Sequence, residues 1–316
     1  MSSRAKLLLT TAGAILVAAL LGRALVGQGD DFAAALHTAP IATLVAVVAL
    51  QVCALVARSE AWSVCVNAAG GHVARRRLYR AASAGYVGNL VNGQFGVAAR
   101  IAALRRSAPR DSPPVAALIT AEVPILAVEA GLAALTSFTL VGPLGLPWWT
   151  PIPALAAVVA LSFALGRMSR SHPGTMWKGL AALGSVPREL RVGGFVLIAV
   201  FSQIARNWLV LQALGVHASV FDAIAVLIAM VTLSQLPLGP SVGAAATVAI
   251  LGPQGLATAA AAGVLLTATG TAGALCYAAW AGLDRVLAPR ITGRMGDYRR
   301  HALAAGLVAP RRPAEA

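Results

Sequence analysis

Long apolar runs alternate along the chain with short polar connections. Runs of about 20 apolar residues, enough to cross a hydrocarbon core, lie near 7–26, 39–57, 114–141, 150–166, 193–214 and 254–283. Two more apolar stretches are interrupted by glycine, proline and amides. One is GNLVNGQFGVAAR, Gly88 to Arg100. The other is QLPLGPSVGAAATVAIL, Gln235 to Leu251, which follows the apolar run Phe221 to Leu236. Unpaired peptide groups are costly in lipid, so such backbone is tolerated at membrane depth only where protein buries it or it lines a wet cavity.

The 25 Lys and Arg set the orientation of these runs. Two precede the first run, five lie in 58–80, four in 100–110, five in 167–191 and seven after 284. Only Arg23 and Arg206 fall inside runs, and the connections 27–38, 142–149, 215–220 and 251–253 hold neither Lys nor Arg. The positive-inside rule then predicts both termini in the cytoplasm and six crossings, and the plasma (inner) membrane is the expected location. Residues 81–99 lie between two basic clusters, so they should enter and leave on the cytoplasmic side as a re-entrant pair of half-helices. By the same counting, the stretch from Phe221 to Leu251 dips in from the exterior.

NLVNGQFGVAA from Asn89 and QLPLGPSVGAAA from Gln235 share an amide, a Leu and spaced glycines if one residue is inserted. The expected fold is therefore all-α: a polytopic membrane protein of about six transmembrane helices plus two re-entrant helical hairpins, arranged as an inverted repeat. Its transmembrane domain is 1–284, with halves 1–141 and 150–284, followed by a basic cytoplasmic tail at 285–316. Inverted repeats with broken helices point to a transport site near the midplane. Tight helix packing at small residues accounts for the same glycines.

Composition narrows the class further. With 58% hydrophobic and 11% charged residues and a mean hydropathy of +0.77, a soluble domain is excluded. The net charge of +14 is explained by sidedness, and basic patches with interleaved aromatics are absent, so no nucleic-acid partner is expected. Cys53, Cys65 and Cys276 are isolated in apolar surroundings and read as small buried hydrophobes. The histidines are also isolated, and no metal, nucleotide or Cys-x-x-Cys pattern occurs, so neither metal nor cofactor is expected. The basic start before the first run reads as an uncleaved signal-anchor, because that run is longer than a signal-peptide core.

A few charges lie within the apolar runs. Glu122 and Glu129 are seven apart on one predicted helix, about 10 Å along one face. Gln203, Arg206 and Asn207 form a polar stripe on the run 193–214. Arg206 is about 20 Å in, too deep to snorkel out, and Glu122 or Glu129 is its expected partner. That pair serves either to fix the bundle or to receive a lipid phosphate on the arginine. Arg100, beside the hairpin glycines, is expected at the mouth of the hairpin within reach of a headgroup. Arg58 and Trp62 are placed at the cytoplasmic interface. Pro124 should kink its helix. The run Gly263, Thr267, Thr269, Gly270, Thr271, Gly273 suits close helix packing, and Met176 to Leu180 suits a short interfacial helix.

Several of these residues together resemble the lysylphosphatidylglycerol synthase transmembrane region, or flippase-like, family. The matching features are Arg58-x-x-x-Trp62, then Arg80-Ala81, then the hairpin Asn89-Leu90-Val91-Asn92-Gly93-Gln94-Phe95-Gly96-Val97-Ala98-Ala99-Arg100. They continue with the acidic Glu122 and a second hairpin at Pro240-Ser241-Val242-Gly243. The resemblance spans roughly 40 to 285, and the order of features carries it. Where the family has Pro, a second Gly and Glu in the first hairpin, this chain has Asn92, Gln94 and Val97, and no Glu follows Gly243. An acid-dependent hairpin step is thus not carried over.

The resemblance implies a membrane domain that moves or holds lipids. The short tail leaves no room for the aminoacyl-lipid synthase fused to some relatives, so an enzyme is not expected. The expected function is binding an anionic lipid headgroup between the hairpins and carrying it across the bilayer. Arg100 would capture phosphate, with Arg206 deeper, Glu122 and Glu129 neutralising Arg206 in the empty groove, and Asn89, Gly93, Gly96 and Arg58 lining the site. The alternative is a non-transporting scaffold for a membrane enzyme of envelope lipid or glycan assembly.

Overall fold

In the computed structural model, the described residues run from 39 to 304 except 91, 92, 172, 173, 175, 176, 235–241, 253 and 254; residues 30 and 34 are also described. Their chain order is α1 (Ile41–Ala68), α2 (Arg75–Asn89), α3 (Gly93–Ser107), α4 (Val115–Thr120) and α5 (Val123–Thr136), with a 3-10 turn at Ser137–Leu140. Next come α6 (Pro151–Ser171), a 3-10 helix at Trp177–Gly184, α7 (Val186–Ala213), α8 (Val220–Leu233), α9 (Val242–Leu251) and α10 (Leu256–Ala304). No strand occurs among the described residues, as an all-α polytopic membrane protein requires. Among the described residues, five helical stretches are long and apolar enough to cross a membrane: Ile41–Ala68, Val115–Leu140, Pro151–Met168, Val186–Ala213 and Leu256–Gly282. The sixth expected span, 7–26, lies outside the described residues, as does the tail from 305 on.

The span Val115–Leu140 is broken at Ala121–Glu122, between α4 and α5. Pro124 causes the break: its ring meets the carbonyl four residues back and it has no N–H to donate. The chain turns there through a short bond from the Glu122 N–H to the Ile119 carbonyl, 3.2 Å. The kink expected from the sequence is present. It also lifts Glu122 out of regular helix, onto the N-terminus of α5.

The helices flanking both polar interruptions are too short to cross. α2 and α3 have 15 residues each, and α8 and α9 have 14 and 10. At 1.5 Å per residue that is about 15–22 Å against a core of about 30 Å. α2 and α3 pack antiparallel at glycine contacts. A Cβ on Gly85 would lie 3.0 Å from the Gly96 carbonyl oxygen, and one on Gly88 would lie 3.1 Å from the Gly96 Cα. The Asn89 side chain fills the space over Gly96. α9 meets α10 in the same way: a Cβ on either Gly243 or Gly263 would overlap the other's backbone.

α1 packs most extensively on α7, and each end of this pair carries one apolar core. At one end, Ala61, Trp62 and Val66 of α1 and Val192 and Val196 of α7 pack with the first hairpin and α4. At the other, Val47 of α1, Val210 and Leu211 of α7 and Leu214 just after it pack with α8, α9 and α10. The two hairpins therefore occupy opposite ends of one antiparallel helix pair. α8 begins with a capping box: Ser219 Oγ accepts from the Asp222 N–H at 3.2 Å, and the Ser219 N–H donates to Asp222 Oδ2 at 2.8 Å.

Two expectations change here. The segment from Met176 was expected as an interfacial helix; Trp177–Gly184 is instead packed into the bundle, where a Cβ on Gly179 would lie 2.6 Å from the Ala121 N–H nitrogen. α10 continues unbroken to Ala304, past the apolar stretch that ends at Gly282. Of the three cysteines only Cys65 is buried, and Cys53 and Cys276 are on the outer surface of the bundle.

Candidate functional site

Charged side chains inside the bundle form two zones. The first surrounds the broken span. Arg100, seven residues from the end of α3, places Nη2 2.5 Å from Glu122 Oε2. Its Cζ sits 4.7 Å above the centroid of the Trp62 ring. Gly85 of α2 makes room for the arginine, since a Cβ there would lie 2.9 Å from Arg100 Cβ. A carboxylate at the start of α5 and an aromatic face of α1 thus hold the guanidinium, and a glycine notch in α2 admits the stem of the side chain. Two turns along α5, Glu129 Oε2 meets Arg58 Nη2 of α1 at 2.6 Å. One face of α5 therefore carries two acids, and each neutralises an arginine from a different helix.

A hydroxyl network adjoins this zone. Tyr277 of α10 donates to Ser59 Oγ at 2.9 Å, Ser59 Oγ lies 3.2 Å from the Tyr86 hydroxyl, and Ser59 donates to the Leu55 carbonyl at 2.8 Å. The Tyr277 ring packs edge-on to Tyr86 and Tyr79, with centroids 5.4 and 6.4 Å away. Glu60 accepts from Arg75 at 2.8 Å and from the Tyr79 hydroxyl. These contacts fasten α10 and the first hairpin to α1.

The second zone is Arg206. It is 4% exposed on α7, between α1 and α10. Gln51 Oε1 of α1 accepts from Nη1, and the Leu266 carbonyl of α10 accepts from Nη2 at 3.4 Å. No carboxylate among the described residues is within ion-pair distance. Among the described residues its Nε has no partner, and the neighbouring Asn207, fully buried, has none for either amide atom. Gly270 faces the guanidinium, where a Cβ would lie 3.3 Å from Nη1.

This arrangement corrects the expected pairing. Glu122 and Glu129 do not neutralise Arg206; they belong to Arg100 and Arg58. Two causes combine. α7 starts at Val186, seven residues before the apolar run, so Arg206 lies about 30 Å along the helix. The break at Ala121–Glu122 also turns the acids toward the hairpin. Arg100 is not open at a hairpin mouth but 9% exposed, and Trp62 is fully buried in the bundle. Asn89 and Gly96 touch each other in the hairpin, and Gly93 opens α3. The expected lining thus splits into a closed group (Arg58, Arg100, Glu122, Glu129, with Asn89 and Gly96 beside it) and Arg206 apart.

Gln51 was not singled out from the sequence, although an isolated amide in an apolar span is a signal for a buried polar partner. Ser59, Tyr86 and Tyr277 gave no such signal, because hydroxyls on apolar helices are common. No group of three metal-ligating side chains occurs among the described residues. Comparison with protein-family models, with curated proteins and with solved structures finds no match.

Proposed function

We propose that this chain is a flippase-like lipid transporter of the plasma (inner) membrane, with both termini cytoplasmic, which carries an anionic lipid headgroup past Arg206. One observation carries the proposal: a guanidinium buried between three apolar helices of spanning length, with no carboxylate partner among the described residues. A lone arginine at this depth costs about 2.5–3.5 kcal/mol on insertion scales. A headgroup phosphate offsets that cost by accepting from the arginine and from Asn207. Arg58 and Arg100 already have their counter-ions, so they hold the first hairpin in place and admit phosphate only by giving up a glutamate. The resemblance to the flippase-like family points the same way.

The test is movement of a fluorescent anionic phospholipid across proteoliposomes, followed by dithionite quenching of the outer leaflet. Wild type should move the lipid, and folded Arg206→Gln should lose at least tenfold in rate. Equal rates in the two proteins would sink the transport role of Arg206.

A scaffold reading draws on α6. None of its apolar window is buried within the bundle. An open groove beside it is lined by Pro124, Val128, Leu165, Leu183 and Val192, with Glu189 at its rim. On that reading α6 holds a membrane enzyme, and protein-free liposomes and wild type would move lipid at the same rate.

A further inference from the structure

We infer that the broken span is a hinge. α4 pivots at Ala121–Glu122, and two ties latch it closed: the 3-10 helix Trp177–Gly184 on α4, and Arg100 on Glu122. This goes beyond the transport reading and holds whether or not the chain carries lipid.

The two pieces of the span have different neighbours. α4 has six residues, too few to keep a helix without support. Its most extensive packing is on Trp177–Gly184, whereas α5 packs chiefly on α6 and α7. The joint between the pieces is weak along the backbone. Pro124 has no N–H to bond the Thr120 carbonyl four residues back, and residues 121 and 122 form a turn rather than helix. A short bond from the Glu122 N–H to the Ile119 carbonyl, 3.2 Å, crosses that turn.

The tie on α4 is a glycine contact. A Cβ on Gly179 would overlap the Thr120 side chain and the Ala117 carbonyl oxygen and lie 2.6 Å from the Ala121 nitrogen, so bare backbone is what fits. Leu180, 1% exposed, anchors the same turn in the bundle. The contact thus grips the last residues of α4, next to the pivot. The second tie acts on the pivot itself, where Arg100 Nη2 of the first hairpin donates to Glu122 Oε2. Nε–H and Nη2–H lie along one edge of a guanidinium and suit a two-pronged bond to a carboxylate. Here Arg100 Nε and Glu122 Oε1 have no partner among the described residues, so the pair holds by one prong. Leu118 of α4 and Ala121 share an apolar core with Cys65 of α1, which is fully buried. Swinging α4 outward takes Leu118 from that core and uncovers Cys65.

Cys65 is a native reporter of this motion. The purified full chain in mild detergent is treated with N-ethylmaleimide, and labelling of each cysteine is followed by mass spectrometry of its peptide. Cys53 and Cys276, already exposed, are the internal references. Gly179→Ala should speed Cys65 labelling about tenfold or more, since it forces a Cβ against backbone and favours local opening. Leu180→Ala loosens the same tie without a clash and should act in the same direction. Glu122→Gln cuts the other tie and should also speed Cys65. The comparison that isolates the hinge uses Pro124→Ala, which restores the missing N–H and stiffens the joint. In that background Gly179→Ala and Leu180→Ala should change the Cys65 rate by no more than about twofold. Equal acceleration in both backgrounds would reduce the 3-10 helix to general packing and overturn the hinge. A Cys65 rate unchanged by Gly179→Ala and Leu180→Ala in the wild-type background would overturn the latch. An unchanged rate in Glu122→Gln would overturn the tie to Arg100.

Discussion

Neutralising Glu122 and neutralising Arg206 should change the stability of the empty protein in different directions. Glu122→Gln leaves Arg100 in place, 9% exposed and above the Trp62 ring, without its counter-ion. Arginine cannot shed its charge in a protein. Breaking a buried pair from one side costs about 3–5 kcal/mol, and the ring contact, intact in this variant, offsets little of that. Arg206→Gln works the other way. It forfeits the charge-assisted bond to Gln51, about 1.5–3 kcal/mol in such settings, and a 3.4 Å contact to the Leu266 carbonyl that is too long to add much. It relieves about 2.5–3.5 kcal/mol of cost for a lone arginine. The net runs from about zero to about 2 kcal/mol in favour of the variant, so the two single variants should differ by about 3 kcal/mol or more. Equilibrium unfolding in mixed SDS and mild-detergent micelles, followed by tryptophan fluorescence, resolves such a gap. The double variant Glu122→Gln/Arg100→Gln should recover most of what Glu122→Gln loses, because the stranded charge leaves with its partner. A Glu122→Gln protein within about 1 kcal/mol of wild type would refute the buried pair as described. An Arg206→Gln protein losing more than about 2 kcal/mol would show that Arg206 is a structural strut with satisfied surroundings.

Gly263→Leu should undock α9 from α10, since the new side chain meets the backbone of Gly243 and Ala244; the expected loss is about 1–3 kcal/mol or more, read by thermal unfolding. Gly131→Leu on α5, with open space around it, is the matched control and should change stability little. Tyr277→Phe removes the donor to Ser59 while keeping the ring contacts, and should cost about 1 kcal/mol in the same unfolding assay. Ser219→Ala removes the cap of α8 and should cost about 1 kcal/mol, with faster amide exchange confined to the first turn of that helix.

The architecture was legible in the sequence wherever one physical effect acted alone. Apolar run length located the five spanning stretches now described, and glycine next to amides located both short-helix hairpins, because hydrocarbon punishes exposed backbone so strongly. Pro124 announced its own break for the same kind of reason: one missing N–H and one clash, both local. The partnership of the charges was not legible, because it depends on depth and rotation, and hydropathy fixes a helix start only to within a turn or two. Seven residues of error at the start of α7 amount to about 10 Å, enough to move Arg206 from one layer of charge to another.

The resulting division bears on mechanism. Arg58 and Arg100 lie where the first hairpin, α1 and α5 converge, and each has an acid from one helix to match it. Arg206 lies where α1, α7 and α10 meet, and these helices offer it only an amide and a carbonyl. If its role were to fasten three helices, a neutral side chain making the same bonds would do so without the cost of a lone charge, as the hydroxyls of Ser59, Tyr86 and Tyr277 do nearby. A charge that its own fold leaves unmatched is accounted for by a ligand that brings the opposite one, and the sign of the stability change in Arg206→Gln decides whether that account holds.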